Sequence, residues 1–511
     1  MTRIGWFQSS NDLINRLHEI VLWSMNGNFL SLPTDCPQRD ERLGWTGDIQ
    51  VFAPTAASLY DCDAFLSSWL EDLSIEQKRH GGTVPFVVPD IFPPPAIAPA
   101  GWGDAATVVP TVLHDYYADW STLARQWESM RAWSDAVAGA VGERMIWEGG
   151  FQFGDWLDPD APPDHPDEAK TAVGIVASAY FVRSAVLTAR AARELGASES
   201  AHFYDNRAEM AKHAFRREYV TPNGRMVSDS PTAYSIAIVF DLAPDDAMRA
   251  AMAVRLAYLG RASGYRLGTG FLGTPLILDA LASTGHLAAA SRLLLQTANP
   301  SWLYAVTMGA TTIWERWDSM LEDGSINPGE MTSFNHYAFG AVADWLHRSL
   351  AGLGPAAPGF SRVRIQPTPL DGFDFASAQR DTPFGRAEAR WQRGDDNTIE
   401  VRAVVPANTR AEVLLPDGST FDVGSGEHCW TVRVAADQVS RIDLDSTLGD
   451  LVDNKRVFDA VEVALEPHGT ALQDFRRQIR KSPDLSVREA LASLVLPPTV
   501  SLAVENTLNR F

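Results

Sequence analysis

The sequence predicts a mainly α protein: a long helix-rich unit, then a small antiparallel β unit, then a short helical tail. Three observations predict it. Apolar residues recur at helical spacing from the N-terminus to about residue 350, the texture shortens to alternating runs after "AGLGPAAPGF" at 351–360, and helical spacing returns beyond about residue 445. With 511 residues and 45% hydrophobic content, the chain can bury a large core in two or more globular units. The changes of texture divide it at 1–352, 353–445 and 446–511.

In the first unit, Leu13, Ile14, Leu17, Ile20 and Val21 form one apolar stripe at helical spacing. "TAVGIVASAYFVRSAVLTARAARELGA" continues at that period and stops at Gly196, a residue suited to a helix C-terminus. "SAHFYDNRAEMAKHAFRREY", "LGTPLILDALASTG", "GHLAAASRLLLQTA" and "SFNHYAFGAVADWLHRSL" read the same way. Between them run long loops rich in Pro, Gly and Trp, notably "VPDIFPPPAIAPAGWGDAA" and "EGGFQFGDWLDPDAPPDHPDEA". Loops of that length inside a compact domain are functional or disordered, and tryptophans set beside Asp and Glu favour function. In the β unit, "RAEARW", "TIEVRAVV" and "AEVLLPDGSTFDVG" alternate, with Pro416, Asp417 and Gly418 supplying a hairpin turn. The tail holds "LQDFRRQIRKS" and "SVREALASL" on either side of Pro483, and is expected to pack on the rest of the chain or to mediate self-association into a homo-oligomer.

Charge narrows the partners. A formal net charge of −21, from 64 acidic against 43 basic residues, argues against general binding to nucleic acid or to an anionic membrane. The N-terminus has no signal-peptide h-region, and no stretch approaches the roughly 18 apolar residues of a membrane span. Cys36, Cys62 and Cys429 form no CxxC or CxxH pair, which fits a reduced compartment, and the protein is expected to be cytoplasmic. No glycine pattern of a Rossmann or P-loop type is present, so no cofactor is expected. His80, His114, His165 and the other scattered histidines lack ligand spacing, so no metal is expected either; the carboxylates of "DPDAPPDHPDE" are read as a solvated loop rather than a calcium site.

Two clusters carry chemistry. "DCPQRDERLGWTGD" at 35–48 cannot be an amphipathic helix, because Pro37, Gly44 and Gly47 interrupt it and no apolar stripe exists. It is a loop leading into a helix around "IQVFAPTAASLY". A solvated charged loop and a sugar pocket both fit its composition. Trp45 tilts the balance, since sugar C–H faces stack on indole while hydroxyls donate charge-assisted hydrogen bonds to Asp35 and Asp48 and accept them from Arg39. In "GATTIWERWDSM", Glu315 lies between Trp314 and Trp317. An acid beside core tryptophans is one reading; a partly desolvated carboxylate with a raised pKa, suited to proton transfer, is the other. Two such clusters, far apart in sequence, match the carboxylate pair that glycoside hydrolysis needs.

These motifs, together with "GDWLDP" at 154–159, "TGFLGTP" at 269–275 and "SFNHYAFGAVADWLHR" at 333–348, resemble in kind and order the α-L-rhamnosidases of glycoside hydrolase family 78 over roughly residues 1–445. The resemblance implies an (α/α)6 barrel followed by a β-sandwich. It implies Glu41 as general acid and Glu315 as general base on a water, with inversion at the anomeric carbon. It implies Asp35, Arg39 and Asp48 on rhamnose hydroxyls, Trp45 in the pocket wall, His336 as a further polar contact, and Trp102 and Trp156 as pocket aromatics. The substrate is then a terminal rhamnoside, on a glycoside or an oligosaccharide. Family members usually carry β-sandwich domains ahead of the barrel, for which little room precedes the first helix; the chain is read as a minimal form or as one lacking that portion. Another inverting hydrolase on the same barrel, acting on fucosides or α-glucosides, and a sugar-binding protein with a decayed site are the alternatives.

Overall fold

The computed structural model describes residues 1–40, 42–92, 99–434, 442–494 and 498–510. Among them, six helical segments close into an inner ring: Thr46–Leu59, Ala105–Tyr117, Val173–Glu194, Pro231–Val239, Thr274–Ala282 and Val342–Trp345, the last packing back against the first. A helix that is apolar on every side must be buried, and the inner helices have that composition: "TGDIQVFAPTAASL" and "PTAYSIAIV" bury nearly every side chain. Outer helices are one-sided. Ser198–Tyr219 buries Ala201, Tyr204, Ala208, Ala211, Phe215 and Tyr219 on a single stripe and turns its charges outward. Asp12–Asn28, Asp63–Arg79, Trp120–Val141, Asp246–Ala262 and Leu287–Leu294 complete the outer layer, giving an (α/α)6 barrel.

One helix among the described residues, Val173–Glu194, is long and apolar enough by length and composition to cross a membrane. It is the third member of the inner ring, and neighbouring helices cover its apolar surface. Gly196 follows its C-terminus at φ 75°. The segment 333–350, whose pattern reads as one helix, begins as a loop and becomes helical only from Ala338, through a 3₁₀ turn, one α turn and a π turn at Leu346–Leu350. That loop is what lets His336 leave the ring and enter the site.

Nine strands follow the chain as Gly5–Ser9 (β1), Leu353–Ala357 (β2), Arg362–Ile365 (β3), Phe375–Thr382 (β4), Gly385–Arg393 (β5), Thr398–Val405 (β6), Arg410–Leu414 (β7), Thr420–Val423 (β8) and Gly426–Arg433 (β9) among the described residues. They make two sheets, β1-β4-β5-β6-β9 and β2-β3-β7-β8. Every pairing is antiparallel except β3 with β7, which is parallel. The turn at Pro416–Gly418 joins β7 to β8, with Leu415 N–H donating to Ser419 O at 2.9 Å. β1 comes from the N-terminus, ahead of the first helix, and fastens the barrel to the larger sheet. A five-residue edge strand next to a long helix leaves too short an alternation to separate in the sequence.

The tail forms short helices at Leu448–Asp453, Lys455–Leu465, Thr470–Lys481, Val487–Ser493 and Pro498–Leu508; Leu448–Asp453 packs on Asp246–Ala262 and Leu287–Leu294 of the barrel, and Thr470–Lys481 on Asp246–Ala262. Asp453 is the joint: its carboxylate accepts from Arg261 and Tyr265, and its carbonyl accepts from Arg292 Nη1 at 3.0 Å.

Candidate active site

Five of the six inner helices are preceded by, or begin with, a residue that reaches one cavity. Asp48 lies in the first turn of Thr46–Leu59, Trp102 just before Ala105–Tyr117, Trp156 in the long loop before Val173–Glu194, Phe271 just before Thr274–Ala282, and His336 just before the last ring segment. They meet around one cavity of about 250 Å³ lined by Asp35, Arg39, Trp45, Asp48, Trp102, Phe153, Trp156, Phe271, Glu315, Met331 and His336. Ligand pockets run from roughly 300 Å³ upward, so this cavity matches a single sugar ring rather than an extended chain. Of the residues singled out in the sequence, Glu41 lies outside the described residues; the other eight line the cavity.

Glu315 is 2% exposed and is reached from two sides. Arg39 Nη2 donates to its Oε2, as does Ser333 N–H at 2.9 Å, while Glu315 N–H donates to Ser333 O at 2.9 Å. Both hydrogen bonds fall on Oε2; Oε1 lies 3.9 Å from His336 Nε2, beyond hydrogen-bond range. Burial pushes the carboxyl up from 4.5 to about 7, against the pull of Arg39 and Ser333, with Asp35 adding a smaller upward push. The flanking tryptophans hold the loop. Trp317 stacks on Phe339 at 4.0 Å and donates from Nε1 to Thr269 O at 3.3 Å, and Trp314 meets Phe334 edge-on at 5.3 Å.

His336 sits with Nε2 3.1 Å from Asp48 Oδ1. Burial, reinforced by Arg39, holds its pKa down at about 3, so the imidazole is neutral at any working pH. Asp35 is tied to its own loop: Leu43 N–H donates to its Oδ1 at 3.1 Å, and its own N–H donates to Leu43 O at 3.0 Å. The loop 35–48 is therefore closed on itself and cross-linked to the distant Glu315 segment through Arg39, and through Gln38 Nε2 donating to Ser333 Oγ at 2.5 Å.

The aromatic wall has a hub the sequence did not single out. Phe153 meets Trp102 at 4.5 Å, Trp156 at 5.1 Å and Trp45 at 6.0 Å between ring centroids. Gly47 is what admits Trp102 beside the helix start, since a Cβ there would lie 2.4 Å from its indole. Phe271 and Met331 also line the cavity; neither stands in a periodic pattern, and an apolar loop residue carries no sequence signal that it faces a pocket. Asp155 is another residue without a marker. Fully buried, it accepts from Gly270 N–H at 2.7 Å, Gly273 N–H at 2.9 Å, Leu272 N–H at 3.0 Å and the Thr232 hydroxyl. It clamps the loop bearing Trp156 to the loop bearing Phe271, where Gly270 passes so close that a Cβ would lie 2.2 Å from Trp156 O. Asp158 in the acidic loop is also buried rather than solvated, because Lys170 reaches in to pair with it.

A double ring of helices around a cavity of one sugar's size, walled by indoles and floored by carboxylates, is the build of a six-hairpin glycosidase domain. Residues 2–350 match the family model of the bacterial α-L-rhamnosidase six-hairpin glycosidase domain, and residues 352–428 that of the bacterial α-L-rhamnosidase C-terminal domain. The chain belongs to this α-L-rhamnosidase family. It is 39% identical over 452 residues to an α-L-rhamnosidase of Streptomyces avermitilis, covering 83% of this chain and 42% of that protein. Among solved structures, a native α-L-rhamnosidase from Aspergillus terreus superposes with a TM-score of 0.83 at 42% identity, over 85% of this chain and 51% of its own. The Streptomyces avermitilis α-L-rhamnosidase complexed with L-rhamnose superposes with a TM-score of 0.78 at 38% identity, over 84% and 42% respectively. The chain thus spans less than half the length of the curated relatives it matches.

Proposed function

We propose that this chain is an exo-acting α-L-rhamnosidase that removes terminal non-reducing rhamnose with inversion. Glu41 is the general acid, protonating the leaving oxygen, and Glu315 the general base on a water. The observation that carries this reading is Glu315: a buried carboxylate held near pKa 7 at the wall of a cavity of one sugar's size. A group with that pKa is deprotonated often enough to take a proton and basic enough to want one. Among the described residues, the hydrogen bonds to its carboxylate fall on Oε2, which leaves Oε1 as the oxygen to receive the proton from water. The family assignment and the relative that binds L-rhamnose support the choice of sugar. So does the wall of Trp45, Trp102, Phe153 and Trp156, which offers an apolar face to the C6 methyl of a 6-deoxy sugar.

Asp35, Arg39, Asp48 and His336 take hydroxyls in this reading. Neutral His336 can donate or accept a hydrogen bond, and Asp48 beside it fixes how the ring is used. The test is hydrolysis of p-nitrophenyl α-L-rhamnopyranoside beside the corresponding fucoside and α-glucoside. Turnover of the rhamnoside well above the others is the expected result; preference for either of the others, or binding of rhamnose without turnover, would overturn the reading.

A further inference from the structure

Asp35, Cys36 and His336 each bring one ligand atom within 4.8 Å of the other two, and all three side chains are buried. The set joins a thiol, an imidazole and a carboxylate, which is the donor chemistry of zinc and other borderline-soft divalent cations; magnesium and calcium prefer all-oxygen shells. Two further observations point to a cation. Among the described residues, His336 Nδ1 is buried without a hydrogen-bond partner, a polar atom whose burial costs free energy until something binds it. Among the described residues, the cavity lining carries three carboxylates, Asp35, Asp48 and Glu315, against the single guanidinium of Arg39, so its formal charge is negative while the sugar proposed for it is neutral. Ligand spacing was invisible in the sequence because the third ligand comes 300 positions after the first two.

We propose that Asp35, Cys36 and His336 form an inhibitory binding site for a zinc-class divalent cation at the wall of the sugar cavity. Three protein ligands leave a tetrahedral ion one position for water. Cys36 coordinates as thiolate and releases its proton to solvent on binding. Asp35 and His336 belong to the cavity lining, so an ion held by them takes two groups away from the sugar. Ion binding itself is independent of the proposed activity; only the competition with rhamnosides rests on it.

The test uses the full chain, freed of metal, titrated calorimetrically with zinc chloride. One ion per chain is expected, with no heat from magnesium or calcium. Cobalt in place of zinc is expected to show the sulfur-to-metal charge-transfer band of a thiolate ligand. Losing one ligand should weaken zinc binding at least about tenfold, since even residues that only orient ligands cost 10–100-fold when removed. Cys36→Ser and Cys36→Ala should both show that loss and lose the cobalt band, while keeping turnover in metal-free buffer. Zinc should raise the KM for the rhamnoside without lowering kcat, and a chelator should reverse the effect. Absence of zinc binding, a cobalt spectrum without the sulfur band, wild-type affinity in folded Cys36 variants, or inhibition that lowers kcat alone would overturn the proposal. Zinc binding with the sulfur band in a chain that hydrolyses no rhamnoside would uphold the metal site and overturn the enzymatic reading instead.

Discussion

Arg39 Nη2 donates to Glu315 Oε2 across 276 positions of sequence. This contact sets two things at once. It orients the carboxylate by occupying one oxygen together with Ser333 N–H, and it holds down a pKa that burial alone would push higher. It also ties the loop after the first helix to the loop before the last ring segment, so the site closes only when the barrel closes.

Removing either proposed proton-transfer group should stop turnover without emptying the pocket. For Glu315→Gln and for Glu41→Gln we expect kcat on natural rhamnosides to fall roughly 10²–10⁴-fold, the range of general acid–base contributions, with rhamnose still protecting the protein against thermal unfolding. A loss below about tenfold at Glu315 would remove it as base.

The acid limb of the pH profile follows from the same group. The base must be ionised, and burial holds Glu315 at about 7, so kcat/KM should rise with pH through a midpoint near 7. Arg39 lowers that value, hence Arg39→Met should move the limb to higher pH in addition to weakening binding. A limb that stays in place, or shifts downward, would contradict the assignment.

Stability should carry the complementary signature. Glu315 ionises at about 7 in the native state against 4.5 when free, so between those values the native state holds a proton the unfolded chain has lost, and stability falls as pH rises. The penalty is fully present above pH 7 and absent below 4.5. Glu315→Gln, neutral throughout, should therefore be more stable than the parent at pH 8 by up to about 3 kcal/mol, with the difference fading at pH 4. Equal thermal shifts at both pH values would show that the native carboxyl is not raised.

Asp155 is expected to act through position rather than contact with substrate. Asp155→Ala orphans the Gly270, Leu272 and Gly273 N–H groups at about 1–3 kcal/mol each, and frees the Trp156 and Phe271 loops. Melting temperature should fall and KM should rise, with Asp155→Asn intermediate because one amide oxygen remains to accept. Unchanged KM in a destabilised Asp155→Ala protein would confine the residue to folding.

Much of the site was legible because its members are chemically conspicuous. Asp35, Arg39, Trp45, Asp48 and Glu315 stand in dense clusters of charge and indole, and the cavity collects them together with Trp102, Trp156 and His336. Phe153, Phe271 and Met331 were not legible, since an apolar residue in a loop gives no sign of whether it faces a pocket or a core. Asp155 escaped notice for a different reason: its importance lies in backbone donors more than 100 positions away. In the fold, helical spacing marked Asp12–Asn28, Thr46–Leu59, Val173–Glu194, Ser198–Tyr219, Thr274–Ala282 and Leu287–Leu294, while their division into an inner and an outer layer shows only in the burial of the folded chain. The strand Gly5–Ser9 did not, because its pairing partner Phe375–Thr382 is supplied by the other end of the chain.

If Glu315 activates water for direct displacement at the anomeric carbon, the released sugar carries the inverted configuration. Proton NMR of the first sugar released from p-nitrophenyl α-L-rhamnopyranoside tests it most directly. The initial product is expected to be β-L-rhamnose, converting to the equilibrium mixture by mutarotation; α-L-rhamnose as the initial product would exclude direct displacement by a water activated at Glu315.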